Sequence, residues 1–468
     1  MFIRIALVAL LVAGAWSAAQ AAPKMEVDLK VHEYTLDNGL KVLVRVDRRA
    51  PVVVSQVWYR VGSSHEFGGV TGISHVLEHM MFKGTPRYPA GEFSRLIQKA
   101  GGRDNAFTSR DYTAYHQQLE RSRLPLAIEL EADRMRNLTL PEDEFEKEIE
   151  VVKEERRLRT EDNARALTFE HFRATAFTSS PYRQPVIGWM DDLDNMTVAD
   201  LHTWYRRFYV PNNAILVVAG DVDPQAVFNL AELHFGRHAR GDLPEIKPRT
   251  EAPPRGPRRS VVRAPAELPY VLIGYHVPTL MTAEDDWEPY ALQVLAGVLS
   301  GSTTARLNRE LVREARVAAG ASAGYNLYAR LSDLFVLSGT PAEGREVQEL
   351  EEALLAQIER LQREPVDPQE LERIKAQVVA SEVYQNDSVF AQAMRIGALE
   401  TVGHPWQLAE EFVERIQAVT PEQIMAVARK YLVENSRTVT NLDPLPLAPG
   451  ERAVAPSAET PDALELTH

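Results

Sequence analysis

Cysteine is absent from this chain of 468 residues. Disulfide bonds, thiol catalysis and cysteine-ligated metals are therefore excluded, and histidine and carboxylate remain as the strong metal ligands. Positive charge is also in short supply, because 52 lysines and arginines face 66 aspartates and glutamates, for a formal net charge of -14. This balance argues against general nucleic-acid binding, since the phosphate backbone repels a protein of the same sign.

Long apolar runs are missing after the N-terminus, so the sequence predicts no membrane span there. The N-terminus has one short run, Ile5 to Trp16, which follows Arg4 and precedes the A-x-A site Ala19-Gln-Ala21. This pattern is typical of a cleaved secretory signal. We predict that residues 1–21 are a signal peptide and that the mature chain is periplasmic or secreted. An uncleaved membrane anchor is the alternative.

The segment from His75 to His79 reads His-Val-Leu-Glu-His. Residues four apart share one face of a helix, so the two histidines can hold one zinc ion between them. Glu78 can reach the edge of such a site without occupying it. This order inverts the common zinc-peptidase motif. A surface helix with two solvated histidines is the alternative, because chance produces the motif in roughly one chain in forty of this composition.

A zinc hydrolase needs a third protein ligand and an open position for water. Downstream, Glu148 and Glu155 are seven residues apart, or two helical turns, and so share one helix face. Isoleucine and valines are interspersed with the acids, as expected of a helix with one buried side. Alone, this segment would be interpreted as a solvated acidic helix. Next to the histidine motif, it becomes the candidate source of the third ligand.

With these residues the chain resembles the pitrilysin family of metallopeptidases, family M16, and is similar by size to its short, two-domain, processing-peptidase-like branch. The second glutamate follows the histidine motif by some 76 residues, as in that family. The stretches 101–108, 181–188 and 209–221 also resemble family signatures. The resemblance covers about residues 30 to 445, nearly the whole mature chain.

The resemblance implies a role for each residue of the motif. The zinc ligands, for one Zn2+ per chain, are matched by His75, His79 and Glu155, the general base by Glu78, and an auxiliary catalytic glutamate by Glu148. Glu154 is the rival third ligand, because the two adjacent glutamates leave the register open.

The resemblance also implies where a peptide substrate would bind. Asn105, Ala106 and Phe107 match an edge strand with which an extended peptide pairs through its main chain. Because that mode recognises backbone more than sequence, broad specificity for unfolded peptides is expected. Arg313 matches the arginine of an Arg-Tyr pair, seven residues apart, which holds the substrate and the oxyanion in active members.

The tyrosine of that pair falls on Gly320, which has no side chain. Tyr325 and Tyr328 lie nearby but out of register. Either one of them fills in, or another subunit supplies the pair. The resemblance therefore implies a clam-shell dimer, with a heterodimer containing a related, zinc-less subunit as the favoured form. A homodimer or a self-sufficient chain is the alternative.

One structural plan occurs twice along the chain. Residues 197–220 and 420–441 each predict a helix followed by a strand, at an offset of about 223 residues. We predict an α+β fold with two homologous α/β-sandwich domains in tandem, as the resemblance also implies. The predicted segments are a metal-binding peptidase domain at 26–235, a Pro/Arg-rich linker at 236–262, a second homologous domain at 263–445 and a disordered tail at 446–468.

These features predict a zinc-dependent endopeptidase that cleaves unfolded peptides or short proteins, with Glu78 as the general base. The alternative is a non-catalytic scaffold or peptide-binding subunit of a pitrilysin-like hetero-oligomer. The intact set of motif residues favours the peptidase, because a scaffold has no need to keep all of them. The missing tyrosine is the one feature that favours the scaffold.

Overall fold

The computed structural model describes residues 30–247, 249–385 and 387–447. The predicted signal peptide lies outside the described residues, and so does the predicted tail apart from its first two residues. Within the part of the chain that is described, no helix combines the length and the apolar character needed to cross a membrane.

The described residues form eleven strands and fourteen α-helices. The strands are β1 (Val31–Thr35), β2 (Lys41–Val46), β3 (Val52–Tyr59), β4 (Arg103–Thr108), β5 (Thr113–Glu120), β6 (Ala214–Gly220), β7 (Arg258–Pro265), β8 (Tyr270–Val277), β9 (Ala318–Gly324), β10 (Asp333–Pro341) and β11 (Arg437–Leu445). The α-helices are α1 (Ile73–Met80), α2 (Glu92–Lys99), α3 (Leu124–Asn137), α4 (Glu142–Arg156), α5 (Ala164–Ala176), α6 (Met190–Asn195), α7 (Val198–Phe208), α8 (Pro224–Phe235), α9 (Trp287–Ser300), α10 (Val347–Arg363), α11 (Pro368–Gln385), α12 (Val389–Val402), α13 (Leu408–Ala418) and α14 (Pro421–Tyr431). Two π-helical segments occur at Arg157–Glu161 and Leu307–Glu314.

The strands form two open sheets with one plan. The first has the order β1-β2-β6-β3-β5-β4 and the second the order β7-β11-β8-β10-β9. In each sheet one strand, β6 or β11, pairs in parallel with one neighbour and antiparallel with the other. Apart from the extra β1, the two orders match strand for strand. The predicted α+β fold of two tandem homologous domains is therefore confirmed.

Matching capping boxes begin the last helix before β6 and before β11. The hydroxyl of Thr197 accepts the backbone N–H of Asp200 at 3.3 Å, and the Asp200 carboxylate accepts the Thr197 N–H at 3.0 Å. Thr420 and Gln423 make the same two bonds, at 3.2 and 2.9 Å. Such reciprocal bonds satisfy N–H groups that a helix start leaves open, so they fix where α7 and α14 begin.

Each half of the chain contributes one helix to the sheet of the other half. Helix α5 packs on the second sheet and α12 packs on the first. A methyl group at Gly397 of α12 would lie 2.2 Å from the ring of Trp58, and one at Gly274 of β8 would lie 2.4 Å from the ring of Phe172. Glycine is required at both places for the close approach of helix and sheet. The two domains are therefore interlocked rather than simply adjoining.

The segment predicted as a linker is attached to both halves. The Glu251 carboxylate accepts backbone N–H groups from Thr178, Ser179 and Ser180, at 2.8, 2.9 and 2.8 Å. Strand β7 begins at Arg258, so the second sheet starts inside the predicted linker. The prolines that suggest a linker all precede this strand, and its pairing partner β11 lies far along the chain.

Candidate metal centre

The two motif histidines lie on α1, which packs between α4 and α7. His75 is almost completely buried and the side chain of His79 is 21% exposed. Glu155 Oε2, on α4, lies 3.8 Å from His75 Nε2 and 3.4 Å from His79 Nε2. Ligands about 2.0–2.2 Å from a tetrahedral zinc lie roughly 3.3–3.5 Å from one another. The three side chains therefore fit zinc in both spacing and chemistry.

Among the described residues, this trio is the one group whose ligand atoms are close enough to hold a metal, all within 4.8 Å of one another. Glu154 does not take part. Its side chain is 60% exposed and pairs with Arg157 at 3.0 Å. The structure thus brings Glu155, rather than its rival, to the two histidines.

Glu148 orients His79 and is itself held by Lys83. Glu148 Oε1 lies 2.9 Å from Nδ1 of His79 and Glu148 Oε2 lies 2.5 Å from Nζ of Lys83. The hydrogen bond with His79, together with the Lys83 cation, lowers the pKa of Glu148 to about 2. With Nδ1 engaged in this way, Nε2 is the nitrogen that His79 presents to the centre.

The other oxygen of Glu155 is held by Arg159, whose Nη1 lies 2.9 Å from Glu155 Oε1. Arg159 belongs to the π-helical segment that follows α4 and is about half exposed. A π-turn of this kind is often found at a functional site. Lys83 and Arg159 were not identified from the sequence, although Arg159 follows Glu155 at helical i+4 spacing.

Glu78 is 6% exposed and faces the interior beside the centre. The hydroxyl of Thr108, the last residue of β4, donates to Glu78 Oε2 at 2.6 Å. Burial raises the pKa of Glu78 to about 7. A carboxyl group with this pKa can both accept and release a proton near neutral pH.

The start of α1 is fixed by a second buried carboxylate, Glu66, which is 1% exposed. Its oxygens accept the backbone N–H groups of Gly72 at 2.7 Å and Ser74 at 2.9 Å. Gly72 has a φ of +87°, and a side chain there would meet the carbonyl of Ile187 at 2.6 Å. The position of His75 therefore depends on a capping acid that no local motif in the sequence indicates.

A buried arginine ties α4 to the start of α1. Nη1 of Arg156 donates to the carbonyl of Gly188 at 2.8 Å and to Glu170 Oε2 at 2.8 Å. A methyl group at Gly188 would lie 2.7 Å from the Cα of Gly72, so the two backbones touch. The helix that carries Glu155 is thus connected, through one loop, to the helix that carries the histidines.

Three of the residues predicted to bind substrate, Asn105, Ala106 and Phe107, lie on β4, the outermost strand of the first sheet. Asn105 and Ala106 pair with His116 and Tyr115 of β5. Phe107 is 4% exposed and packs edge-on against Trp58, with ring centroids 5.5 Å apart. Its side chain is therefore part of the core under α12, and the prediction for Phe107 can apply to its main chain alone.

Arg313 and Gly320 lie in the second half, away from α1 and α4. The π-helical segment that holds Arg313 and the edge strand β9 that holds Gly320 pack against each other and against α9. Space is open at Gly320, because a methyl group there would have no atom within 4 Å. The structure does not bring this pair to the metal centre of the same chain.

The two nearby tyrosines, Tyr325 and Tyr328, make contacts within the second half. The buried Tyr325 donates its hydroxyl to the carbonyl of Pro278 at 2.5 Å. The hydroxyl of Tyr328 accepts from Arg395 at 3.3 Å. Both phenols therefore have partners within the second half, and the option that one of them fills in stays a prediction.

Two protein-family models match this chain. The model described as insulinase (peptidase family M16) matches residues 41–189, and that described as the peptidase M16 inactive domain matches residues 195–378. The zinc protease PqqE of Helicobacter pylori is 33% identical over 422 residues, which cover 89% of this chain and 94% of that protein. An uncharacterized zinc protease of Mycobacterium leprae, ML0855, is 32% identical over 85% of this chain and 88% of its own. The crystal structure of a protease from Helicobacter pylori matches with a TM-score of 0.83 at 31% identity, covering 89% of this chain and all of that one.

Proposed function

Because the chain belongs to peptidase family M16, the insulinase family, we propose that it is a zinc-dependent endopeptidase that cleaves unfolded peptides or short proteins. The observation that carries the proposal is the approach of His75, His79 and Glu155 to one point, with the buried Glu78 beside them. Relatives named zinc proteases, similar over nearly their whole length, support it.

Bound zinc would polarise the scissile carbonyl and yield a nucleophilic water near neutral pH. In this chain His75 and His79 would offer Nε2, and Glu155 would offer Oε2. Glu148 keeps the His79 ring in the orientation that this requires. Arg159 holds Oε1 of Glu155, which favours coordination through the other oxygen.

Glu78 would act as the general base and then as the general acid. It takes a proton from the attacking water and delivers it to the leaving amine, so its carboxyl group ends the cycle as it began. The pKa of about 7 that burial gives it suits both transfers.

Substrate would add to the first sheet as a further strand along β4. The main chain of Asn105 and Ala106 would pair with an extended peptide, so the substrate would have to be unfolded where it binds. The exposed side chain of Asn105 can contact the peptide, whereas that of Phe107 supports the strand from beneath.

We also propose that a second subunit completes the site. Arg313 has no tyrosine at position 320, and Tyr325 and Tyr328 are engaged elsewhere. A related, zinc-less subunit that carries the full pair would supply substrate and oxyanion contacts across a dimer interface. The signal-like residues 1–21 support export of the mature chain to the periplasm or the exterior.

The test is hydrolysis of a quenched, unstructured peptide by the zinc-loaded mature chain, compared with Glu78→Gln. The variant should bind as much zinc as wild type but lose turnover by at least about a thousandfold. Glu142→Gln, at the far end of α4, is the matched control and should retain activity. Equal rates for wild type and Glu78→Gln would show that Glu78 is not the base.

The non-catalytic alternative has one observation in its favour, which is that position 320 has glycine in place of the expected tyrosine. If the wild-type chain binds zinc but does not hydrolyse the peptide alone, the next step is to purify it together with its native partner. Glu78-dependent turnover by that complex would support the peptidase. A complex that binds unfolded peptides and never cleaves them would support the scaffold.

A further inference from the structure

Thr108 connects the substrate strand to the general base. It is the last residue of β4 and is 1% exposed, and its hydroxyl donates to Glu78 Oε2 at 2.6 Å. We propose that Thr108 is a positioning residue that holds the Glu78 carboxylate in its reactive orientation and joins it mechanically to the peptide-binding edge. This inference rests on the proposed function, in which Glu78 transfers protons.

The hydroxyl of Thr108 has one proton, and its surroundings assign that proton to Glu78. Thr113 lies directly opposite on β5, and the two hydroxyl oxygens are 3.5 Å apart. Thr113 donates its own proton to the carbonyl of Val61 at 2.9 Å. The Glu78 carboxylate, at 2.6 Å, is the nearer acceptor for the Thr108 proton, and an ionised carboxylate can only accept.

This bond supplies an orientation that the glutamate side chain cannot supply itself. The terminal torsion of a glutamate is broad, because it joins sp3 and sp2 carbons. Glu78 is 6% exposed, so water cannot easily replace the threonine as a partner. With Oε2 held by Thr108, Oε1 becomes the oxygen that exchanges protons with water and the leaving amine.

The same bond places the base relative to the substrate. Side chains alternate along β4, so Ala106 and Thr108 point to one face, and Ala106 packs in the core that contains α1. Asn105 lies three residues, or about 10 Å, from Thr108 along the strand. A peptide paired with Asn105 and Ala106 is therefore in a fixed register with the base.

Thr108 could also serve stability alone, because a buried hydroxyl needs a hydrogen-bond partner. The variants must therefore separate a loss of stability from a loss of rate. Thr108→Val keeps the shape of the side chain and removes the donor, and Thr108→Ser keeps the donor. The control is Thr168→Val, because the buried Thr168 hydroxyl donates to the carbonyl of Ala164 at 2.6 Å within α5, the helix that packs on the second sheet. Zinc content, melting temperature, kcat and KM are measured for each, in whichever subunit composition turns over.

The expected result for Thr108→Val is a fall in kcat of roughly 100-fold, the size expected of a slight misplacement of a catalytic group, with KM and zinc content close to wild type. Thr108→Ser should recover kcat to within about threefold, because it restores the donor. Thr168→Val should not change kcat. If Thr108→Val does not fold, Thr108→Ala replaces it with the same expectation.

Three results would overturn the inference. These are a wild-type kcat in folded Thr108→Val, a Thr108→Ser variant as slow as Thr108→Val, or a rate loss that follows zinc loss. Wild-type protein without Glu78-dependent hydrolysis, alone or with its partner, would overturn the proposed function and this inference with it. Normal wild-type hydrolysis beside an unimpaired Thr108→Val would overturn this inference alone.

Discussion

The helix that follows β3 and the helix that follows β8 occupy equivalent places in the two domains but differ in the polar groups that they bury. From Tyr290 to Leu299, α9 buries apolar side chains and one glycine. Helix α1 buries apolar side chains as well, but also His75 and Glu78. Buried polar and charged groups are costly unless they are paired, so the first domain carries its chemistry at the expense of stability. The second domain keeps the shape without the metal motif, and the one acid that α9 buries, Glu288, is paired with Lys430 and Tyr431.

The two edge strands differ in the same way. Strand β4 reads Arg-Asp-Asn-Ala-Phe-Thr and ends on the threonine that contacts Glu78. Strand β9 consists of alanines, glycines and one serine. The same scaffold occurs twice, and the residues of the candidate metal centre occupy one copy. The description of the second family model as an inactive domain agrees with this division.

The largest expected effect tests whether the chemistry of the first domain depends on Glu155 rather than its neighbour. Glu155→Gln removes the one charged ligand, so zinc affinity should fall about a thousandfold, more than the 10–100-fold typical of a lost outer partner. Glu154→Gln is the matched control and should bind zinc like wild type, because that side chain points to solvent. Competition with a chromogenic chelator measures both.

The reverse pattern, with zinc lost in Glu154→Gln and kept in Glu155→Gln, would contradict the geometry. It would mean that α4 is rotated by one residue, and Glu148 would then no longer face His79.

The next effect tests whether the two helix–sheet contacts between the domains, at Gly397 and at Gly274, are equally tight. Gly397→Ala and Gly274→Ala each push a methyl group into a buried ring, at 2.2 and 2.4 Å. Each should lower the free energy of unfolding by about 1–3 kcal/mol, the usual cost of overpacking. Alanine on an exposed helix surface would instead stabilise by up to about 1 kcal/mol relative to glycine, so the sign is informative.

Gly320→Ala is the control for this pair, because the space beside it is open. It should change the unfolding free energy by less than about 0.5 kcal/mol. Urea unfolding curves give all three values. If Gly397→Ala were as stable as Gly320→Ala, α12 would not be seated against Trp58 as described.

A third experiment attempts to give the second domain the group it lacks. Gly320→Tyr places a phenol seven residues after Arg313, on an edge strand with room for it. If copies of this chain can close on one another, kcat/KM of the zinc-loaded chain should rise about tenfold, the worth of one hydrogen bond to developing charge. Gly320→Phe is the matched control, because it places the same ring without the hydroxyl and should have no effect. A rate unchanged by Gly320→Tyr would indicate that a different subunit supplies the pair.

The duplicated fold and the placement of the metal motif in the first domain could largely be predicted from the sequence, because both depend on local patterns. The repeated helix-then-strand pattern predicts the duplicated fold, and the spacings of His75, His79 and the downstream glutamates predict which helices meet. The choice between Glu154 and Glu155 was not predictable. Adjacent residues point about 100° apart on a helix, and α4 is acidic on so many sides that its pattern does not fix which face is buried.

What the sequence could not provide depends on segments distant in the chain. Thr108 meets Glu78, and Arg156 meets Gly188, only because strands and loops fold over α1 and α4. Phe107 was expected to contact substrate because its strand lies at an edge. Its side chain is buried because α12, from the other half of the chain, covers that face of the sheet. No local pattern indicates that exchange of helices.

The smallest expected effect concerns the contact between the first sheet and α12. The ring of His116 on β5 meets Phe390 edge-on, with centroids 4.9 Å apart, and burial lowers the pKa of His116 to about 4. The unfolded chain, with the ordinary value of 6.5, binds the proton first, so stability falls as the pH drops from 6.5 towards 4 and levels off below that. Between pH 7.5 and 5.5, the free energy of unfolding of wild type should fall by on the order of 1 kcal/mol more than that of His116→Gln, as measured by urea unfolding.

The control is His171→Gln, at an exposed position on α5, which should follow the wild-type curve. Parallel curves for wild type and His116→Gln would mean that protonated His116 is solvated at this contact, and that α12 covers the first sheet less tightly than its glycine contact with Trp58 implies.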